Sequence, residues 1–279
     1  MDLGPHVPSQ AFTKDVDLYA EVTAKSTRDT ANEFLKLLSP LAPGTKIHDN
    51  GCGAGEVTSA IMAVNPPTDI SIEATDVDPT YLERLTVAAG AKHWPVTASR
   101  MAAEDLTFAD ETFDLSVANF VIFMTREGGV PAVSQMRRTL RPGGSAIFTS
   151  WARLPQVGPA QAAHAATRGP DGPPLREIPP EWWRGEHLRG VAIKAGFAQG
   201  QTELHTVNVH LHYDSAERLA RLIWSWLGPP LSGWLESDEE NWDKAIEVIL
   251  KSFEENDDFK LGPDGVEVQL TANVLIARK

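Results

Sequence analysis

The stretch Ile47-His48-Asp49-Asn50-Gly51-Cys52-Gly53-Ala54-Gly55-Glu56-Val57-Thr58 constrains this chain more than any other. A short lead-in (Lys46-Ile47-His48), three glycines at alternate positions and an apolar run to Met62 spell strand, tight turn and helix. Glycine at 51, 53 and 55 admits backbone angles closed to other residues and lets a ligand lie against the main chain. The turn therefore predicts a bound cofactor.

The rest of the chain supplies partners for that unit. Two helices, parted near Lys25-Ser26-Thr27, are expected between Asp15 and Leu38. After strand one (46–50), helical patterns over 58–64, 81–89 and 130–140 alternate with strand patterns over 70–75, 94–98, 113–121 and 145–150. Residues 113–121 are apolar on both faces at their centre, as a covered strand should be. Such alternation predicts an α/β fold with a doubly wound parallel sheet. Residues 153–180 are rich in proline and glycine and read as irregular, followed by a helix over 186–195 and strand six over 201–213. Residues 214–263 have helical spacing and hold Trp224, Trp226, Trp234 and Trp242. A final strand over 266–277 reads as antiparallel to strand six. The expectation is a seven-stranded, mostly parallel, Rossmann-like sheet with its last strand antiparallel. It divides into an N-terminal helical cover (1–44), a cofactor domain (45–213 and 264–279) and a helical lid insert (214–263).

Composition narrows the partner. The formal net charge of −13 and the lack of a basic stripe speak against nucleic acid. No run of 18 apolar residues occurs, and Met1 to Pro8 has neither a basic head nor an apolar segment, so a soluble, cytoplasmic protein without a membrane span is expected. The single cysteine, Cys52, reads as a small packing residue between two loop glycines. A small, neutral or cationic partner fits best.

Two cofactor types use a glycine turn after strand one. A dinucleotide site wants a third small residue, in the order G-x-G-x-x-G/A, so that pyrophosphate can reach the helix N-terminus. Here that position is Glu56, and Asp49 adds a second negative charge. A cofactor carrying an ammonium and a sulfonium suits those charges better.

At this point Asp49-Asn50-Gly51-Cys52-Gly53-Ala54-Gly55 resembles the first motif of class I S-adenosylmethionine-dependent methyltransferases. Asp76 lies 21 positions beyond Gly55, where that family places the acid that takes both ribose hydroxyls. Ala103-Glu104-Asp105-Leu106 with Phe113-Asp114 resembles the adenine-side loop, and Leu140-Arg141-Pro142-Gly143-Gly144 the turn before strand five. The likeness covers about residues 45–213 and the last strand. It implies S-adenosyl-L-methionine as cofactor, held by Asp49, Gly51, Cys52, Gly53, Asp76, Val77, Met101, Ala103, Glu104 and Asn119. Two departures are His48, where an aliphatic residue is usual, and Ala102, where Asp is common. Asn119 either faces the ligand or satisfies backbone groups.

The layout also resembles fungal-type small-molecule methyltransferases of secondary metabolism. That likeness implies methyl transfer to an O, S or N atom of a small, apolar or aromatic natural product, by a monomer or homodimer. No N-P-P-Y signature and no metal-binding acidic set follow strand four. His164 is the base candidate, and Phe12, Tyr19, Phe123, Trp151 and Trp224 are the substrate-side candidates. The competing reading is a methyltransferase-like protein that binds the cofactor without transferring methyl, as a regulatory partner or a scaffold for another reaction.

Overall fold

The computed structural model describes residues 6–13, 18 and 20–279. They form two compact units. The larger comprises Ser26–Arg153, Ile178–Val209 and Thr271–Lys279, and the smaller holds the N-terminal residues to Lys25, Leu154–Glu177 and His210–Leu270.

Helix α1, Lys25–Leu35, follows a π-helical turn, Ala20–Ala24, without the break expected near Ser26. Thr30 Oγ1 donates to Ser26 O at 2.8 Å, so the hydroxyl finds its partner within the helix instead of competing with it. Then come β1 (Lys46–Asn50), α2 (Glu56–Ala63), β2 (Ser71–Asp76), α3 (Pro79–Lys92), β3 (Val96–Arg100), β4 (Phe113–Ala118), α4 (Val130–Thr139) and β5 (Leu140–Arg153). Helix α5 (Val157–Arg168) and α6 (Gly185–Lys194) precede β6 (Thr202–Tyr213). The chain ends with α7 (Ala216–Leu227), α8 (Trp242–Glu254), β7 (Phe259–Gly262) and β8 (Gly265–Arg278).

The sheet runs β3-β2-β1-β4-β5-β8-β6. Strands β1 to β5 pair in parallel, and β8 lies antiparallel to β5. The doubly wound, mostly parallel sheet is as expected. An eighth strand, β7, pairs antiparallel with β8 inside the segment read as wholly helical.

Each face of the sheet buries one apolar layer. Phe34, Val57 and Ile61 cover Ile47, Ile72, Leu115 and Ile147 on one side. Ile122, Val133, Met136 and Leu188 cover Phe113, Ala118 and Phe148 on the other. Burying each large side chain is worth about 1.5–3 kcal/mol. His48 sits fully buried in β1. Its Nδ1 pairs with Ser116 Oγ at 3.2 Å and its Nε2 with Thr75 Oγ1 at 2.9 Å, while its ring stacks on Phe113. Burial lowers its pKa to about 3, so a neutral imidazole replaces an aliphatic side chain without stranding a polar atom.

In the smaller unit α5 packs against α7 and α8. Residues 157–168 are therefore helical, not irregular. Pro159 falls in the first turn, where no intrahelical N–H is lost, and five alanines between 160 and 166 favour the helix. Trp224 and Trp242 are buried, each 5.7 Å from the Trp234 ring. Among the described residues no helix is long and apolar enough to cross a membrane.

Candidate functional site

The site grows from the carboxyl end of β1. Gly51, Gly53 and Gly55 have φ of 69°, 54° and 99°. Two are required by packing as well as by dihedral angle: a Cβ at Gly51 would meet Val121 Cγ2 at 2.5 Å, and one at Gly55 would meet Leu85 Cδ1 at 2.5 Å. The turn is tied to β2 through Thr75 O, which accepts from Gly51 N at 2.7 Å and Cys52 N at 2.9 Å.

Asp76 closes the turn from the β2 side. Its Oδ2 accepts from Gly53 N at 2.9 Å and its Oδ1 from Asp78 N at 3.0 Å. A carboxylate held by two backbone donors is fixed in place yet keeps lone pairs for a ligand. Asp49 is buried, and its Oδ2 accepts from Thr58 N at 3.1 Å and Thr58 Oγ1 at 2.7 Å. Burial raises its pKa to about 7 against the opposing pull of the Thr58 hydrogen bonds, with Glu56 and Asp76 adding to the rise. Burial likewise raises the pKa of Glu56.

Cys52 is buried against Ala74, Leu82, Leu85 and Ala89. Burial, followed by the charges of Asp49, Asp76 and Glu56, pushes its thiol pKa up. It is a packing residue in an acidic surrounding. Three acidic side chains about one turn, two of them with burial-raised pKa values, suit an ammonium and sulfonium better than a pyrophosphate.

The next loop continues the same edge. Met101 N donates to Asp76 O at 3.1 Å, and Arg100 Nε donates to Val77 O at 2.9 Å, with Val77 itself exposed. Ala103 is buried in the core. Glu104 Oε1 accepts from Arg126 N at 3.1 Å and Arg126 Nε at 3.4 Å. Burial resists its ionisation, but the Arg126 bonds prevail and its pKa is lowered.

Asn119 has protein partners on both ends of its amide. Its Nδ2 donates to Thr27 O at 2.9 Å, and its Oδ1 accepts from Thr149 Oγ1 at 2.8 Å. The amide thus satisfies one backbone carbonyl and one side-chain hydroxyl. The adjacent Phe120 stacks on Trp151, and Phe123 packs near Trp182, with centroids 6.1 Å apart.

The remaining sequence candidates lie in the smaller unit or outside the description. His164 is on α5, not in a loop. Its Nδ1 lies 3.2 Å from Arg168 Nη1, so its lone pair is taken by the guanidinium. Its pKa is lowered, chiefly by burial. Phe12 N donates to Ser225 Oγ at 3.1 Å, its ring lies 5.3 Å from the Arg218 guanidinium, and Trp224 is core. Tyr19 lies outside the described residues. Sequence reasoning missed Thr58, Phe120 and Thr149. Thr58 alone had a local signal, as a hydroxyl in the first turn of the helix after the glycines.

Comparison with known proteins agrees with this geometry. A family model described as a methyltransferase domain matches residues 47–144. A malonyl-[acyl-carrier protein] O-methyltransferase of Legionella pneumophila is 29% identical over 145 residues, 51% of this chain and 49% of that protein. The chain thus spans about half the length of this curated relative. The YcgJ protein of Bacillus subtilis superposes with a TM-score of 0.56 at 15% identity, over 90% of this chain and 98% of that one. A phosphoethanolamine N-methyltransferase of Haemonchus contortus, solved with S-adenosylhomocysteine, gives a TM-score of 0.56 at 14% identity, over 97% of this chain and 59% of that one. The acid-lined glycine turn, the sheet order and these matches identify residues 47–144 as the core of a class I S-adenosylmethionine-dependent methyltransferase domain.

Proposed function

We propose that the protein transfers the methyl group of S-adenosylmethionine to an O, S or N atom of a small, apolar or aromatic compound. The observation that carries this reading is Asp76 held 2.9 Å from Gly53 N beside the glycine turn, with Asp49 and Glu56 next to it. When bound, the cofactor supplies an activated methyl group. The residues of the turn would bind and orient it, with the Asp76 carboxylate directed to the ribose hydroxyls and the acidic surrounding favouring its cationic end. Methyl transfer then needs chiefly an aligned acceptor, and alignment is worth about 7–11 kcal/mol in favourable cases.

Phe123 and Trp151 are the acceptor-side residues of the larger unit in this proposal. The protein would act as a cytoplasmic monomer or homodimer. With the His164 lone pair engaged by Arg168, thiols and amines, which hardly need a base, are the favoured acceptors.

The test is incubation with methyl-labelled S-adenosylmethionine and a panel of thiols, phenols and amines. Label in an organic product is the expected result. Tight cofactor binding with no transfer to any panel member would favour a binding protein instead.

A further inference from the structure

The end of β2 gives the sheet edge a direction. In the order β3-β2-β1, Asp76 stands between the glycine turn that follows β1 and Arg100, its register partner at the end of β3. With the cationic end of the cofactor on the acidic β1 side and its ribose at Asp76, the base falls on the β3 side, against residues 101–110. That side is open. Val77 is 58% exposed and presents an apolar surface beside Asp76, and Met101 and Ala102 are half-buried.

This loop is held from outside at both ends. Where it begins, Met101 N donates to Asp76 O at 3.1 Å and Arg100 Nε to Val77 O at 2.9 Å. Towards its end, Arg138 on α4 reaches across to it. Arg138 Nη2 donates to Leu106 O at 2.8 Å, and Nη1 donates to Phe108 O at 2.7 Å. The other N–H groups go to Gln135 Oε1, 3.0 Å from Nε and 2.7 Å from Nη2, and to Asp110 Oδ1, 2.7 Å from Nη1. Every N–H of the guanidinium is thus engaged.

Charge is the lesser part of this arrangement. The Asp110 side chain is 72% exposed, and an ion pair so open to solvent contributes little. The two carbonyls are different, because a planar fork spans both and the single nitrogen of a lysine cannot. Gln135, three residues earlier on the helix, sets the orientation of the fork. The Phe108 ring packs edge-on to His48 and Phe113, so the gripped segment is also anchored in the core. Thr107 Oγ1 donates to Met101 Sδ at 3.6 Å and links that segment back to the residues beside Asp76.

We infer that Arg138 is a positioning residue for the base of the cofactor: by gripping Leu106 O and Phe108 O it holds residues 101–110 in the one shape that prefers adenine. The inference rests on the methyltransferase reading and adds to it a specificity determinant remote from the ligand. Adenine offers a donor at its 6-amino group beside an acceptor at N1, and hypoxanthine inverts both. Main-chain groups fixed for one pattern leave the other mismatched, whereas a loop free to shift accommodates either.

The probes are S-adenosylhomocysteine and S-inosylhomocysteine, which differ only in the base, titrated calorimetrically into the full chain. Wild type should bind the adenosyl compound about tenfold more tightly. Arg138→Lys keeps the charge and loses the fork. It should weaken adenosyl binding about five- to tenfold and inosyl binding less than about twofold, so that most of the preference disappears. Gln135→Met leaves the guanidinium in place but unoriented and should shift the preference the same way by less. Asp76→Asn should weaken both compounds alike, since they share the ribose. Thermal unfolding identifies a variant that has lost its fold, and Gln135→Met carries the test if Arg138→Lys is such a variant. An unchanged preference in the folded variant, an equal loss for both compounds there, or a wild type that does not distinguish them would overturn the inference. A wild type that binds neither compound would instead overturn the cofactor reading.

Discussion

Phe120 and Trp151 lie 31 positions apart in sequence and stack with their ring centroids 4.0 Å apart, because the backbone at Phe120 is left-handed. Replacing Phe120 separates ring from backbone. Phe120→Ala should destabilise the protein by about 3–5 kcal/mol through the lost ring. Phe120→Gly should be milder by about 1 kcal/mol, since glycine accepts the positive φ. Urea midpoints give the order; alanine equal to or better than glycine would contradict a left-handed residue 120.

Asp76 should carry a large share of cofactor affinity. Asp76→Asn keeps the shape but loses the charge and one acceptor. It should weaken S-adenosylhomocysteine binding about 10- to 100-fold, matching the 1.5–3 kcal/mol typical of hydrogen bonds to charged groups. Calorimetric titration at fixed pH checks this.

Asp49 makes stability depend on pH. In the unfolded chain its carboxyl loses its proton near the ordinary value of 3.8, whereas the folded chain keeps it to about 7. The folded state therefore binds more protons inside that window, and stability should fall as pH rises through it, levelling above 7. The total is at most a few kcal/mol, since one pKa unit is worth about 1.4 kcal/mol. Asp49→Asn should flatten the slope between pH 5 and 7 in denaturant titrations.

In the smaller unit the Arg168–Asp238 pair is buried, with Nε 2.7 Å from Oδ1 and each side chain 1% exposed. Arg168→Met leaves Asp238 buried and unpaired and should cost about 3–5 kcal/mol. The double variant Arg168→Met/Asp238→Leu should recover most of that loss. A double variant as unstable as the single would mean that Arg168 acts through its contacts with Trp224 and Trp234 instead of through its charge.

His164 offers a sharper comparison. Because its Nδ1 accepts from Arg168 Nη1, His164→Gln should preserve both stability and turnover. His164→Leu should lose about 1–3 kcal/mol of stability by removing one of the two acceptors of Arg168 Nη1 and leaving only Gly228 O, at 2.9 Å. A folded His164→Gln protein without turnover would return His164 to the base role.

What could be read from the chain was what is local. The glycine turn and the alternating strands each announce themselves within a dozen residues, so the sheet and the kind of cofactor were legible. Helix α5 was hidden because Pro159, Gly158 and the prolines beyond 169 outweighed its alanines in the reading. Partners distant in sequence left no trace. Arg168 meets Asp238 across 70 positions, and Thr149 reaches Phe120 across 29. The left-handed Phe120 could not be foreseen, since nothing in its own neighbourhood asks for it. His48 looked like an exception to its motif until Ser116, Thr75 and Phe113 were seen around it.

Val121 and Leu85 press on the glycine turn from behind, each leaving no room for a Cβ at Gly51 or Gly55. The shape of the turn is thus cast by the protein's own interior. A ligand arriving there meets a finished shape and has little chain to order, so its contacts appear in affinity instead of being spent on organising the loop. The same two glycines should then be as intolerant of substitution in a protein that never meets its ligand as in one that does.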